Sequence, residues 1–142
     1  MAITFHTENT AMPSFRKLSV RRWIRSVAAE YGKTPGAITY IFCTDVEILS
    51  VNRAYMHHDY YTDIITFDYS GGNDISGDLF ISLDTVRSNS EKFATAFSDE
   101  LLRVMIHGVL HLCGLSDKSR EEQLHMRQAE DAALSAYSKN FK

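Results

Sequence analysis

The sequence is poor in cysteine and proline, with two of each, and it has no long apolar run. Cys43 and Cys113 do not form the spaced framework of a disulfide-rich secreted domain, which points to a reducing compartment. No apolar stretch approaches the roughly 20 residues that a membrane-spanning helix needs. The chain starts with MAITFH, which has neither the basic flank nor the apolar core of a signal peptide. These absences predict a cytoplasmic protein with no membrane contact.

The chain also lacks an excess of basic residues, since its formal net charge is −3. Proteins that bind nucleic acid usually carry a basic footprint, so the overall charge does not indicate such binding. Cations do recur every four residues at Lys17, Arg21 and Arg25, with Arg16 and Arg22 beside them. An ordinary solvated helix face explains this cationic flank equally well. Because an enzyme that turns over needs only modest affinity, a nucleic-acid substrate remains open.

Length and composition fit one compact enzyme domain over residues 1–142. Hydrophobic residues make up 44% of the chain and charged residues 23%, both ordinary values for a globular protein. A chain of this length is expected to bury about two-thirds of its unfolded surface around a single core.

The segment HGVLHLCGLSD, which starts at His107, carries the clearest chemical signal. His107 and His111 lie four residues apart, so both imidazoles share one helix face and can reach a single ion. Gly114 offers a left-handed position that ends the helix, and the returning chain can bring Asp117 to the same ion as a third ligand. Three protein ligands and an open position are typical of a catalytic zinc site, although iron, nickel and cobalt accept the same donors. The alternative is a buried helix that carries two hydrogen-bonded histidines.

Other residues of this helix sort by their angle around its axis. Gly108 stands where zinc proteases carry the glutamate of His-Glu-x-x-His, so the protease motif is absent, and a strand or substrate can approach closely. Arg103 lies one turn before His107 on the ligand face and is the candidate catalytic cation, facing phosphate. A solvated arginine paired with Glu100 or Asp99 is the alternative. Cys113 points away from the ion and is expected to be a small core residue.

Periodicity and capping patterns predict alternating strands and helices. The strands are expected over residues 3–6, 37–43, 62–69 and 78–82. The helices are expected over residues 14–31, from a capping box at Thr44, over 84–94 with Asp84 as cap, over 98–114 with Ser98 as cap, and from a second capping box at Ser119. This order predicts an α+β fold: a single domain with a four-stranded mixed sheet, packed helices and a central metal-binding helix in a zincin-like arrangement.

The metal segment resembles the signature of the YbeY family, His-Gly-x-Leu-His-Leu-x-Gly-Tyr-Asp-His, from His107 through Gly114. Two further segments are similar to those of the family. Asn52 and Tyr55, followed by TDIITF from Thr62, resemble Asn-x-x-Tyr-Arg and Thr-Asp-Val-Leu-Ser-Phe, while GDLFIS from Gly77 resembles a Gly-Asp-Ile-x-Ile-Ser strand. The matches run from about Asn52 to the chain end, in the order of the family.

The resemblance implies a single-strand-specific, metal-dependent endoribonuclease that processes rRNA. It implies maturation of the 16S rRNA 3′ end, a part in ribosome quality control, and rRNA and ribosomal particles as partners. It also implies a site in a cleft between the metal helix and the exposed edge of the sheet. The tract His57-His58-Asp59 is expected to be a solvated loop, or else to border the RNA groove.

Two positions depart from the pattern of the family. Asp117 stands at the position of the third histidine, a mild change because two histidines and one carboxylate also form a catalytic zinc set. Met56 stands at the position of the arginine in Asn-x-x-Tyr-Arg, so another cation would have to replace it. Two alternatives therefore stay open: a zinc hydrolase of another substrate, and a non-catalytic ribosome-assembly factor whose metal stabilises the fold.

Overall fold

The computed structural model describes residues 2–56 and 62–142 as four strands and five helices. In chain order the elements are β1 (Ile3–Thr7), α1 (Lys17–Glu30), β2 (Thr34–Cys43), α2 (Asp45–Tyr55), β3 (Ile64–Asp68), β4 (Asp74–Ser82), α3 (Leu83–Lys92), α4 (Phe97–Leu112) and α5 (Arg120–Asn140). The predicted α+β order is confirmed. Within these described ranges no helix is both long and apolar enough to cross a bilayer.

The strands form one mixed sheet in the order β1-β2-β4-β3. β1, β2 and β4 run parallel, and β3 runs antiparallel to β4 with Thr66 opposite Leu79. β3 therefore lies at one edge of the sheet. The predicted four-stranded mixed sheet is confirmed. β4 begins at Asp74 and not at residue 78, because Asp74 and Ile75 already pair with β2 before an irregularity in the register.

The helices divide between the two faces of the sheet. Side chains alternate along β4, so Leu79 and Ile81 enter the main core while Phe80 packs into a smaller cluster. The smaller cluster is built on Cys43, Ile48 and Ile65. Because Ile48 belongs to α2, this helix covers one face, while α1, α4 and α5 contribute to the main core on the other.

α4 is the central helix of the main core. It contacts α1, α3, α5, β3 and β4, and ten of its sixteen residues are buried. Its buried residues are Glu100, Leu101, Leu102, Val104, Met105, Ile106, Gly108, Val109, Leu110 and Leu112. Burial on almost every side leaves a narrow polar stripe, which carries both histidines of the motif. The predicted central helix is thus confirmed.

α4 ends in a Schellman turn at Gly114, whose φ is +106°. The amide of Leu115 donates to the carbonyl of Leu110 at 3.0 Å, and the amide of Gly114 donates to the carbonyl of His111 at 2.9 Å. These bonds satisfy two carbonyls that the helix end leaves unpaired, and they reverse the chain. The reversal brings Asp117 back over the last turn of α4.

The two predicted capping boxes are present. Glu122 donates its amide to the Ser119 hydroxyl and accepts from the Ser119 amide, and Thr44 forms the corresponding box with Glu47.

The other two predicted caps are wrong. Ser82, not Asp84, accepts from the Thr85 amide at 3.3 Å, because β4 passes into α3 without a linker. α4 begins at Phe97 after Ala96, which places Ser98 inside its first turn. The periodicity thus located both helices correctly, although it did not locate their first residues.

Candidate metal centre

The polar stripe of α4 and the turn that follows it bring three donors together. The rings of His107 and His111 lie 4.5 Å apart between centroids, and each Nε2 atom is 3.4 Å from Oδ2 of Asp117. One donor atom from each of the three residues falls within 4.8 Å of the others. The structure therefore places the three residues where they could hold one metal ion.

The separations of Asp117 from the two histidines fit a tetrahedral ion. Two ligand atoms bonded at 2.0–2.1 Å to tetrahedral zinc stand about 3.3 Å apart. The Nδ1 atoms of both rings are engaged elsewhere: His111 donates to the Leu115 carbonyl at 2.9 Å, and His107 donates to Oε2 of Glu130 at 2.6 Å. Both Nε2 lone pairs are thereby directed toward Asp117. The set suits zinc, while its donors do not distinguish zinc from iron, nickel or cobalt.

The three donors open into a cavity of about 460 Å³ between α4 and β3. Its lining residues are Thr62, Asp63, Ile64, Thr66, Asp68, His107, His111 and Asp117. β3 turns alternate side chains toward α4, so Ile64, Thr66 and Asp68 form one wall. The lining contains three carboxylates and, among the described residues, no Lys or Arg. A cation bound by the three donors would therefore supply the positive charge that an anionic substrate needs.

Gly108 permits the close approach of α4 to the sheet. A Cβ atom at this position would lie 3.0 Å from Cδ1 of Ile64 and 3.2 Å from both Cδ atoms of Leu79. The residue beside the first histidine is thus small because strand side chains occupy the space, as the sequence indicated.

Asp63 is one of two carboxylic acids in this cavity to which the sequence analysis gave no role, and it is more buried than the other, Asp68. Burial raises its pKa, and the nearby His107 and the amides of Asp63 and Ile64 offset that rise only in part. Its carboxyl also lines the adjoining cavity with His107 and Asp117. The sequence showed that polar residues precede β3, but it did not show that Asp63 is buried beside α4.

Replacing Asp63 with asparagine is expected to raise the melting temperature of the metal-free protein at pH 7. When the pKa of a carboxyl is raised by folding, its contribution to the free energy of unfolding is fully present below the unfolded pKa. That contribution is lost as pH rises through the folded pKa, because the buried group must then ionise. The gain from Asp63→Asn should therefore shrink as pH falls and disappear below the unfolded pKa of an aspartic acid, about 3.9, where Asp63 is protonated in both states. Asp68→Asn, a change to an exposed carboxylate of the same cavity, is the control. An unchanged or lower melting temperature at pH 7 would show that burial of the ionised Asp63 carboxylate does not destabilise the protein.

Glu130 of α5 is the polar neighbour of the centre that the sequence analysis missed. It is 5% exposed, and its two oxygens accept from His107 Nδ1 at 2.6 Å and from Arg103 Nη1 at 2.9 Å. Burial lowers the pKa of His107, but the bond to Glu130 and the surrounding carboxylates outweigh burial and raise it. A signal existed, because Glu130 interrupts the inward stripe of Met126, Ala133 and Tyr137.

Arg103 lies on the ligand face of α4, yet its hydrogen bonds go to α5. Its guanidinium donates to Glu130 at 2.9 Å and to Asp131 at 2.7 Å, not to Asp99 or Glu100. Its predicted contact with phosphate stays a prediction.

The remaining sequence predictions concern residues around the centre. Cys113 packs partly buried against the main core, and burial raises its pKa to about 11. Met56 packs against the smaller apolar cluster under α2. The tract His57-His58-Asp59 lies outside the described residues.

Comparison with known proteins identifies the family. The model of the family described as Endoribonuclease YbeY matches residues 2–138. An endoribonuclease YbeY of Bacteroides thetaiotaomicron is 58% identical over 134 residues, which cover 94% of this chain and 98% of the relative. One from Porphyromonas gingivalis is 51% identical over 132 residues, covering 93% of this chain and 87% of the relative. The solution structure of a Thermotoga maritima protein shares the fold, with a TM-score of 0.66 at 24% identity over 98% of this chain and 93% of that one. The chain therefore belongs to the endoribonuclease YbeY family.

Proposed function

We propose that this chain is a metal-dependent endoribonuclease that cuts single-stranded RNA during rRNA processing. The proposal includes maturation of the 16S rRNA 3′ end, ribosome quality control, rRNA and ribosomal particles as partners, a cytoplasmic location, and one catalytic domain over residues 1–142. The observation that carries it is a three-donor centre, open to a cavity beside an edge strand, in a chain of the endoribonuclease YbeY family.

His107, His111 and Asp117 are the proposed zinc ligands. A zinc ion held by these three donors would keep room for water or substrate, since the donors line the cavity along β3. A bound zinc ion supplies Lewis acidity and a water acidic enough to ionise near neutral pH. The protein holds the two imidazoles through Glu130 and the Leu115 carbonyl, so their Nε2 atoms keep their direction before any ion arrives.

The shape of the cavity suits a single strand of RNA. Its wall is one edge strand, and a second cavity of about 310 Å³ adjoins it across Asp63, His107 and Asp117. This second cavity is lined by Arg103 and Arg127 as well as by carboxylates. A flexible strand could pass from one cavity to the other over the centre, while the backbone of a duplex is held in a fixed helical path.

Arg103 remains the proposed phosphate-facing cation of this site. Two of the five N–H donors of a guanidinium are engaged with Glu130 and Asp131, which leaves three for a substrate oxygen. Because Arg103 lines the second cavity, a phosphate beside the centre would lie within its neighbourhood.

The test is cleavage of an end-labelled single-stranded RNA before and after chelation. Removing the metal should lower the cleavage rate by at least about 100-fold, and stoichiometric zinc should restore it. A duplex of the same sequence should be cut more slowly, because its bases remain stacked and its path is fixed. A mock purification from cells without the protein gives the background.

Three outcomes would overturn the proposal. Cleavage that survives complete chelation would remove the metal from the reaction. Turnover of peptides or of carboxylic esters, with RNA left intact, would indicate a zinc hydrolase of another substrate. Binding to ribosomal particles with no cleavage at full zinc occupancy would indicate an assembly factor with a fold-stabilising metal.

A further inference from the structure

We propose that Glu130 and Arg103 form a positioning pair, which fixes the ring of His107 so that its Nε2 atom faces the metal. This inference rests on the proposed metal centre and adds to it two residues that touch neither ion nor substrate in this role. Glu130 lies 23 residues beyond His107 in the chain, on a different helix.

The two carboxylate oxygens of Glu130 have different partners. Oε2 accepts from His107 Nδ1 at 2.6 Å, and Oε1 accepts from Arg103 Nη1 at 2.9 Å. An ionised carboxylate only accepts hydrogen bonds, so the proton of a neutral His107 must be on Nδ1. The lone pair is then on Nε2, the atom 3.4 Å from Asp117.

Arg103 makes the buried charge of Glu130 tolerable and fixes its direction. A carboxylate that is 5% exposed requires an opposite charge and satisfied oxygens. The nearest other cation, Arg127, is 59% exposed and 4.0 Å from Oε1. Arg103 also bonds Asp131, the next residue of α5. One guanidinium therefore joins α4 to two consecutive carboxylates of α5, one helical turn before His107.

The two histidines of the centre therefore have unlike supports. His111 donates to the Leu115 carbonyl, a neutral acceptor within the turn that ends its own helix. His107 donates to a carboxylate, which makes an imidazole a more basic ligand and fixes its orientation more strongly. The orientation of His107 therefore depends on another helix, whereas that of His111 depends on its own.

A purely structural ion pair between α4 and α5 is the competing explanation. It predicts that loss of Glu130 lowers the stability of the metal-free protein while the folded protein binds zinc as before. The positioning role predicts instead that the folded variant binds zinc more weakly, by more than any change in metal-free stability explains. The two explanations therefore differ in a quantity that can be measured on folded protein.

The experiment is a zinc titration against a competing chromophoric chelator, using the full chain and four variants. Glu130→Leu should lose about 10–100-fold in zinc affinity, the usual cost of removing a partner behind a metal-bound histidine. Glu130→Gln should lose less, because one amide oxygen can still accept from Nδ1. Arg103→Met should lose affinity as well, whereas a role limited to phosphate would leave zinc affinity at the parent value.

Asp131→Asn is the matched control, since Asp131 bonds the same arginine but is 58% exposed and does not contact His107. Its zinc affinity should stay within about twofold of the parent, as expected for an exposed pair. Nitrogen-15 spectra of the imidazoles add an independent readout. At a pH high enough for the imidazole to be neutral, His107 should carry its proton on Nδ1 in the metal-free parent and should become a mixture of tautomers in Glu130→Leu.

The outcomes separate this inference from the proposed function. Parent-like affinity and tautomer in a folded Glu130→Leu protein would overturn the positioning role alone, with the metal centre intact. A parent that binds no zinc would overturn both. If Glu130→Leu does not fold, the zinc affinities of Glu130→Gln and Arg103→Met decide the question, and parent-like affinity in both would overturn the positioning role.

Discussion

Replacing His107 with alanine is expected to abolish both metal binding and RNA cleavage. The change removes one of three donors and leaves Glu130 buried without its imidazole partner. Two donors and a misdirected carboxylate should not retain zinc through purification. The cleavage rate should fall by about 1,000-fold or more, because neither Lewis acidity nor an ionised water remains.

The measurement is elemental analysis of the purified protein, paired with cleavage of a labelled single-stranded RNA. His125→Ala is the matched control, since this histidine is exposed on α5 and takes no part in the centre. It should keep full metal content and the parent rate. Cleavage at the parent rate by a His107→Ala preparation would end the enzyme interpretation of this chain.

The substitution Gly77→Ala is expected to cause the largest loss of stability of the changes considered. A Cβ atom at Gly77 would lie 2.4 Å from the carbonyl oxygen of Phe67 and 3.1 Å from Cδ2 of Leu112. The first neighbour is backbone of β3, so the clash cannot be relieved by a side-chain rotation. Separating β3 from β4 should cost about 2–3 kcal/mol of unfolding free energy.

Chemical denaturation of the metal-free protein measures this loss as a lower transition midpoint with an unchanged slope. Gly71→Ala, in the turn between the same strands, is the control because nothing lies within 4 Å of its added Cβ. Its stability should stay within about 0.5 kcal/mol of the parent. Equal midpoints for the two variants would show that the strand pair accommodates a methyl group at Gly77.

The sequence predicted best those features that depend on neighbouring residues. The spacing of His107 and His111, the stop at Gly114 and the capping box at Ser119 are local patterns, and the structure contains all of them. The strand and helix order followed from periodicity for the same reason. The reach of Asp117 to both histidines depends only on a short turn, so the sequence also placed it near the centre.

Features that depend on tertiary packing were less accessible. Glu130 meets His107 only because α5 crosses α4 at that level, and no local pattern encodes the crossing. Arg103 could be assigned to the correct helix face but not to the correct partners, since both belong to α5. β4 begins early because β2 supplies a pairing partner for Asp74, a contact that weak local β-propensity does not reveal.

All three donors of the centre come from one short segment, residues 107–117, while the main core is assembled from every layer of the fold. We therefore expect folding and metal acquisition to be separable events, since the main core consists of apolar side chains and includes none of the three donors. The protein should emerge from synthesis already folded, with its imidazoles aligned, and load its ion afterwards through the open cavity. The divalent cation bound at the centre would then depend on the exchangeable metal pool of the cell at that moment, as well as on the preference of the donors.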